Sequence, residues 1–241
     1  MGKLFGTDGV RGLANQELDC KMAFKLGQAG AYILTMAKHK PKILVGRDTR
    51  ISGDMLESAL VAGICSVGGV ALVAGIIPTP AVAFLTRYYG LDAGVVISAS
   101  HNPMEYNGIK FFNNAGYKLP DELEDRIENI VLYGSEEIPA PKGADVGRLV
   151  RLKNAERDYI EFLKNTIDVE LDGLKIAVDC ANGAAYKVAP AVLSQLGAEV
   201  CLIHNTPNGT NINAACGSTQ PENLQKYVLE TGADIGLAFD G

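Results

Sequence analysis

Residues 42–76 contain one complete strand–helix–strand pattern, and their sequence is KILVGRDTRISGDMLESALVAGICSVGGVALVAGI. The apolar run from Lys42 to Gly46 predicts a buried strand. Ser52 offers an N-cap for an apolar helix, and Gly68-Gly69 ends that helix. Val70 to Ile77 then predicts a second strand. Apolar strands separated by a helix are typical of a parallel sheet with crossover helices.

The same alternation continues toward the C-terminus. Further predicted helices cover Thr79 to Gly90, Pro120 to Tyr133, Ala155 to Thr166, Ala185 to Leu196 and Gln220 to Thr231, and further predicted strands cover Ala93 to Ile97, Ile109 to Phe112, Leu174 to Asp179, Val200 to Ile203 and Asp234 to Phe239. From Gly134 to Arg151 the periodicity is lost, which indicates a connection between domains. We therefore predict an α/β fold of two consecutive domains, residues 1–145 and 146–241, each a mixed, largely parallel sheet with crossover helices.

The charge balance limits the partners of this 241-residue chain. Its formal net charge is −6. An acidic chain gains nothing from counterion release, so we expect no nucleic-acid partner. A small anionic substrate stays compatible, because a cleft can be locally basic on an acidic protein. We also expect no membrane partner and a cytoplasmic location, since neither a signal-peptide core nor a long apolar stretch occurs.

The five cysteines form no CxxC pair. They are predicted to be buried free thiols in a reducing compartment. The three histidines and these cysteines show no familiar zinc-site spacing. His39 and His204 are predicted to be isolated surface or loop residues.

The segment from Ile97 to Pro103, ISASHNP, carries the strongest chemical signal. Ser100 follows a predicted strand, and the carboxyl ends of parallel strands face the ligand crevice of an open α/β sheet. His101 supplies an imidazole beside it, and Lys110 returns on the next strand with a positive charge. These groups could hold a covalent phosphate on Ser100 and move protons around it. A hydrogen-bonded loop without catalysis stays an alternative, whereas a serine hydrolase is disfavoured because no GxSxG elbow is present.

At the family level, the strings FGTDGVRG and ISASHNPMEYNGIKFF resemble the two N-terminal signatures of the α-D-phosphohexomutase superfamily. Their flanks are most similar to the phosphoglucosamine mutase branch. GRDTRISG and VDCANGA are also similar to family segments, and the resemblance covers the whole chain in order.

The resemblance implies a role for each matching residue. Ser100 would carry the phosphoryl group and donate it to glucosamine 6-phosphate or glucosamine 1-phosphate, which gives a bisphosphate that returns its other phosphate. His101 and Lys110 would serve proton transfer and charge stabilisation, and Arg11 would contact the phosphoserine. Such chemistry depends mainly on positioning and on neutralising oxygen charge.

The resemblance also implies Mg²⁺, held by three aspartates of a DGDxDR-type loop and by the phosphoserine oxygen. Oxygen ligands suit this hard cation. Asp240 and Gly241 match the start of that loop, and the chain stops there. We therefore expect a truncated second domain, weak Mg²⁺ binding by Ser100 and Asp240, and a catalytically inactive fragment.

Three segments that follow predicted strands have no implied role. Arg47 and Arg50 could lie near a phosphate, but pairing with Asp48 favours a structural arginine. The segment from Asp179 to Gly183 lacks the GxGxxG pattern of dinucleotide loops. The polar loop from Asn205 to Gly217 is a plausible functional position without an assigned role.

The first hypothesis is therefore an isomerase that converts glucosamine phosphates in amino-sugar and cell-wall precursor synthesis. Phosphomannomutase or phosphoglucomutase activity is the alternative within the superfamily, and an inactive two-domain fragment is the alternative outside catalysis. The expected partner is a phosphosugar, and a homodimer is an open alternative. A nucleotide-binding oxidoreductase is the third and least favoured reading.

Overall fold

A computed structural model describes residues 4–35 and 40–241, and it contains two sheets within these ranges. In chain order, the strands of the first sheet are β1 (Val10–Leu13), β2 (Lys42–Arg47), β3 (Val70–Ile76), β4 (Ala93–Ile97), β5 (Tyr106–Asn113) and β6 (Arg148–Arg151). Their spatial order is β1-β5-β4-β2-β3-β6. Strand β5 runs antiparallel to β1 and β4, whereas the β2–β3, β2–β4 and β3–β6 pairs are parallel.

The second sheet contains β7 (Lys175–Asp179), β8 (Glu199–Ile203) and β9 (Ile235–Ala238), in the spatial order β8-β7-β9 and all parallel. The described helices are α1 (Cys20–Thr35), α2 (Ser52–Ser66), α3 (Thr79–Tyr88), α4 (Asp121–Tyr133), α5 (Ala155–Lys164), α6 (Val188–Gln195) and α7 (Glu222–Thr231), with a 3-10 turn at Gly143–Asp145. The predicted α/β class with largely parallel sheets is confirmed.

Alternating side chains of β2 explain the layered architecture. Ile43 and Val45 belong to the apolar core that β2 shares with α1, α2 and α4, whereas Leu44 belongs to the core on the opposite face, with Leu85 of α3. Successive strand residues point to opposite faces, so a strand covered on both sides is apolar throughout. Fully burying one such side chain stabilises the fold by roughly 1.5–3 kcal/mol.

The chain reverses its winding direction at β2. Helix α2 crosses from β2 to β3 over one face, and α3 crosses from β3 to β4 over the other face. Strands β2 and β4 are neighbours, so the loops that follow them diverge around a crevice at their carboxyl ends. Ligands bind at this kind of position in open α/β sheets.

The two sheets are joined by a common apolar core. Tyr159 of α5 and Val188 of α6 pack in the same core as Leu85 of α3. The Tyr89 hydroxyl donates a 2.7 Å hydrogen bond to Asp158 in α5. The second domain is therefore anchored on the α3 side of the first sheet.

Strand β6 lies within the segment from Gly134 to Arg151 that was predicted to be a connection. Arg148–Arg151 pairs in parallel with β3, so the first sheet continues beyond residue 145, where we predicted the first domain to end. Its side chains are mostly exposed, which explains why hydrophobic periodicity gave no strand signal there. The division into domains 1–145 and 146–241 otherwise stays a prediction.

Two local expectations need correction. Ser52 is not the N-cap of α2, because Ile51 occupies that position, and the Ser52 hydroxyl accepts a 2.9 Å hydrogen bond from the Asn107 carboxamide. The five cysteines are unpaired, but Cys20 is exposed, and Cys180 and Cys216 are the two buried ones. None of the described helices combines the length and the apolar character that crossing a bilayer requires.

Candidate active site

Ser100 occupies a left-handed turn directly after β4. Its φ is +54°, a conformation that non-glycine residues seldom adopt. The Ser100 amide donates to the Ser98 hydroxyl at 3.1 Å. Such a conformation costs about 1–3 kcal/mol and persists where the surroundings over-determine it.

Arg50 is the main support of this turn from within the first domain. Its buried guanidinium donates to the carbonyl oxygens of Ser100 (2.7 Å), Asn102 (3.0 Å) and Pro103 (2.6 Å). Its Nε donates to the Asp48 carboxylate at 2.8 Å. The predicted structural pairing of Arg50 with Asp48 is confirmed, and the donors of Arg50 face the protein main chain.

The second domain reaches the same turn through the polar loop after β8. The Asn213 carboxamide donates to the carbonyl oxygens of Ser100 (2.9 Å) and Asn102 (3.1 Å). The loop had been noted as a functional position, but sequence reasoning did not select Asn213. Its φ of +57° is a structural signal that the sequence does not display.

Ser100 and Asp240 meet at the junction of the two domains. The Ser100 hydroxyl hydrogen-bonds to the Asp240 carboxylate, which follows β9. The Nδ1 atom of His101 lies 3.5 Å from the same hydroxyl oxygen. Three of the residues selected from the sequence therefore come together around one oxygen atom.

Arg11 and Lys110 lie on one face of the first sheet. Lys110 pairs with Val96 in the β4–β5 register, and Arg11 pairs with Gly108 in the β1–β5 register. The guanidinium and the ammonium each lie 3.6 Å from the carboxylate of Asp8. Asp8, to which the sequence analysis gave no role, therefore holds the two cations together.

The Arg11 side chain also approaches the strand end that leads to Ser100. Its Cγ and the Ser98 carbonyl oxygen lie 3.0 and 2.6 Å from the position that a Cβ on Gly108 would take. Within the part of the chain that the structure describes, the Arg11 Nε is buried and has no hydrogen-bond partner. An unpaired cationic donor beside the turn is consistent with an anionic ligand there.

A cavity of about 380 Å³ opens between the two domains beside Ser100. Asp48, Ser98, Ser100 and Asp240 contribute its polar wall, and its other walls are apolar, Val188 and Phe239 among them. The cavity lies where β2 and β4 end, as the reversal of the winding direction predicts.

A second polar cluster lies near Asp240 but serves the fold. Ligand atoms of Asp179, His204 and Cys216 lie within 4.8 Å of one another. The buried Asp179 carboxylate already accepts hydrogen bonds from the amides of Ala181 (2.8 Å) and Gly217 (2.9 Å). Burial, and next the Asp179 charge, raise the pKa of the Cys216 thiol to about 11, which disfavours the thiolate that a metal needs.

His204 was predicted to be isolated, which is wrong, because its Nδ1 lies 3.1 Å from Asp179. The carboxylate of Asp179 instead ties the loops after β7 and β8 together. His39 lies outside the described residues.

Comparison with known proteins supports the assignment of the fold and of the family. Residues 2–137 match the description "phosphoglucomutase/phosphomannomutase, alpha/beta/alpha domain I", and residues 157–241 match domain II of the same description. The chain belongs to the phosphoglucomutase/phosphomannomutase family. The superfamily resemblance drawn from the two motifs is thereby confirmed.

Relatives within this phosphoglucomutase/phosphomannomutase family are similar over the whole chain. The identity is 64% over 242 residues to the phosphoglucosamine mutase of Acetivibrio thermocellus and 64% over 241 residues to that of Clostridium novyi. Each match covers 100% of this chain and 54% of the relative, so the chain spans about half the length of these curated relatives.

A solved structure shows the same fold. The crystal structure of a phosphoglucomutase/phosphomannomutase family protein from Burkholderia thailandensis has a TM-score of 0.82 and 27% identity to this chain. The superposition covers 99% of this chain and 52% of the other. Both described domains therefore have their counterparts in this family member.

Proposed function

We propose that this chain supplies the phosphoserine and one metal ligand of a phosphoglucosamine mutase, an enzyme that interconverts glucosamine 6-phosphate and glucosamine 1-phosphate. The observation that carries the proposal is the contact between the Ser100 hydroxyl and the Asp240 carboxylate at the domain junction. Relatives at 64% identity that bear this name support the choice of sugar phosphate.

The oxygen atoms of Ser100 and Asp240 at the junction are suitable ligands for Mg²⁺. Ser100 and Asp240 place two oxygen atoms side by side, and a hard cation prefers oxygen ligands. We propose that these residues hold the ion together with further oxygen donors. When bound, Mg²⁺ would neutralise negative charge on the transferring phosphoryl oxygens.

Ser100 is the phosphoryl carrier in this proposal. The bond between its Oγ and phosphorus breaks while a sugar hydroxyl oxygen forms the new bond to phosphorus. The sugar hydroxyl gives up its proton as the bond forms, and the departing Ser100 oxygen takes one up. The imidazole of His101, whose Nδ1 lies 3.5 Å from the Ser100 oxygen, is placed to supply that proton. The resulting bisphosphate then reorients and returns its other phosphoryl group to the Ser100 oxygen.

Arg11 and Lys110 stabilise charge rather than form bonds. In the structure they share the Asp8 carboxylate, which is 52% exposed and can be solvated when a phosphate competes for the cations. Among the described residues the buried Nε of Arg11 has no partner, so a small shift of the side chain would offer this donor to a phosphate oxygen. We expect both side chains to contact phosphate oxygens during transfer.

Substitution of Ser100 in the complete protein tests the proposal. Ser100→Ala should lose both mutase turnover and the phosphoserine that peptide mass mapping detects. Ser58→Ala is the matched control, because the exposed Ser58 hydroxyl donates to the Asp54 carbonyl of its own helix. Turnover by Ser100→Ala at the control rate would remove Ser100 from this role.

A substrate series separates the glucosamine reaction from its alternatives. Phosphorus NMR follows the conversion of the 6-phosphates of glucosamine, mannose and glucose by the complete protein. We expect glucosamine 6-phosphate to be converted fastest, and a preference for mannose 6-phosphate would make the protein a phosphomannomutase. Residues 1–241 alone are expected to show no turnover, and measurable turnover would contradict this expectation.

A further inference from the structure

We propose that Asn213 is a positioning residue that locks the Ser100 turn to the Asp240–Gly241 segment, so that the phosphoryl carrier and the metal ligand hold one relative geometry. The inference rests on the proposed function for its kinetic consequence. Its structural part stands on the contacts of Asn213 alone.

The amide nitrogen of the Asn213 side chain is directed at the nucleophile turn. It donates to the carbonyl oxygens of Ser100 at 2.9 Å and of Asn102 at 3.1 Å. These hydrogen bonds join the second domain to the first. They fix the main chain of the turn and leave the Ser100 hydroxyl free to face Asp240.

The same carboxamide packs against the residue that follows the metal ligand. A Cβ added to Gly241 would overlap both Oδ1 and Nδ2 of Asn213. The backbone after Asp240 can therefore approach only because Gly241 has no side chain. One planar group thus contacts both the nucleophile turn and the segment that carries the carboxylate.

Asn213 is itself held in place by the neighbouring loop after β7. Its main-chain amide donates to the Ala181 carbonyl at 3.0 Å, and its φ of +57° aims the side chain out of the loop toward the first domain. Asparagine is one of the few non-glycine residues that tolerate this conformation. Two further hydrogen bonds join the same loops to the segment after β2, from the Thr49 hydroxyl to the Asn182 carbonyl (2.6 Å) and from the Ile51 amide to the Gly209 carbonyl (2.8 Å).

Arg50 and Asn213 lie in opposite domains and donate hydrogen bonds to the same two carbonyl oxygens, those of Ser100 and Asn102. Arg50 is fixed by the buried Asp48, so the contribution of the first domain does not depend on the second. Asn213 adds the contribution that exists only when the second domain is docked. Removing it should loosen the turn relative to Asp240 without unfolding either domain.

The kinetic consequence follows from the demands of phosphoryl transfer. A displacement of about 1 Å at the reacting atoms can cost about 100-fold in rate. For Asn213→Ala in the complete protein we expect kcat to fall by about 10- to 100-fold. KM for the sugar phosphate should change by no more than about twofold, because Asn213 contacts the protein main chain and not the sugar.

Asn211→Ala is the matched control. Asn211 lies in the same loop, and its carboxamide bonds to the Thr206 carbonyl (3.1 Å) and accepts from the Asn208 amide (2.9 Å). It should keep kcat near the wild-type value. Asn213→Asp preserves the size of the side chain but removes its N–H donors, so it should resemble Asn213→Ala.

Hydrogen exchange gives a readout that needs no turnover. Amides of residues 98–102 should exchange faster in Asn213→Ala than in the wild type, whereas those of β4 should stay unchanged. Wild-type exchange in this turn, or a kcat equal to that of Asn211→Ala, would overturn the proposal. If the wild-type protein converted no sugar phosphate, the proposed function would fail, and the exchange measurement would still decide the role of Asn213.

Discussion

Removal of the Arg50 side chain should be among the most destabilising single changes in this chain. Arg50 and Asp48 are 0% and 1% exposed, and the guanidinium Nε donates to the Asp48 carboxylate at 2.8 Å. Arg50→Ala leaves Asp48 buried without its cation. The amide of residue 50 still donates to Asp48, and Asn213 still donates to the Ser100 and Asn102 carbonyls. We therefore expect the uncompensated Asp48 carboxylate to account for most of the loss in unfolding free energy.

Breaking a buried ion pair on one side costs about 3–5 kcal/mol. Arg126→Ala provides the comparison, because Arg126 is 43% exposed in its pair with Glu136, and exposed pairs contribute about 0–1 kcal/mol. Urea unfolding followed by far-UV circular dichroism measures both variants, since the chain has no tryptophan for fluorescence. An Arg50→Ala loss no larger than the Arg126→Ala loss would refute the reasoning.

A double variant checks the cause of the expected loss. Asp48→Asn combined with Arg50→Met removes both charges and keeps most of the volume, and replacing a whole buried pair is often close to neutral. It should therefore be more stable than Arg50→Ala. Equal losses would show that lost packing, and not the stranded charge, destabilises the single variant.

Three further outcomes can be measured on the same protein. Burial raises the pKa of Glu57 above its ordinary value of 4.5. The unfolding free energy of the wild type should therefore fall relative to that of Glu57→Gln as the pH rises from about 4 to about 7. A difference in unfolding free energy that does not change with pH would contradict this. Burial also raises the pKa of Cys180 to about 12. A disulfide reagent near neutral pH should therefore label the exposed Cys20 in the native protein and reach Cys180 only after urea unfolding. Fast labelling of Cys180 in the native protein would be inconsistent with its burial. In Gly108→Ala the new Cβ would lie 2.6 Å from the Ser98 carbonyl oxygen, so the strands must separate. The unfolding free energy should drop by about 1–3 kcal/mol. An unchanged unfolding free energy would mean that the strand end can move at no cost.

The sheet centre was predictable because its strands are apolar on both faces. The run from Ala93 to Ile97 is buried at every position, and the structure gives the same bounds that the sequence predicted. A strand sandwiched between two helical layers needs no polar alternation, so its signal is a short apolar run between turn residues.

The sheet edges were not predictable by the same rule. Strands β1 and β6 each have four residues, and both are edge strands that contain arginines. Their pairing partners lie far away in the sequence, on β5 and β3. Such strands exist because a neighbouring strand offers hydrogen bonds, and local periodicity does not record that. Helix α1 was also left unassigned, although Ala23 and Leu26 are fully buried in the core.

The site residues likewise differ in how far the sequence alone could identify them. Ser100 and His101 are neighbours in one motif, so a local reading could select them. Asp8 and Asn213 act through contacts made only in the folded chain, at 3.6 Å to Lys110 and at 2.9 Å to the Ser100 carbonyl. The assigned roles of the site residues stay predictions until variants of the protein are measured.

In the proposed mechanism, the position of Ser100 makes docking of the second domain a condition of phosphoryl transfer. Its hydroxyl faces Asp240 and its carbonyl accepts from Asn213, so two groups of the second domain contact opposite ends of the same residue. A hinge movement that separated the domains would remove both contacts at once, and the Ser100 carbonyl would keep its hydrogen bond from Arg50. The apolar packing of Tyr159 and Val188 against α3 opposes that movement, because separation would expose buried apolar surface to water. The proposed chemistry of the Ser100 oxygen therefore depends on a domain contact that no motif around Ser100 could encode by itself.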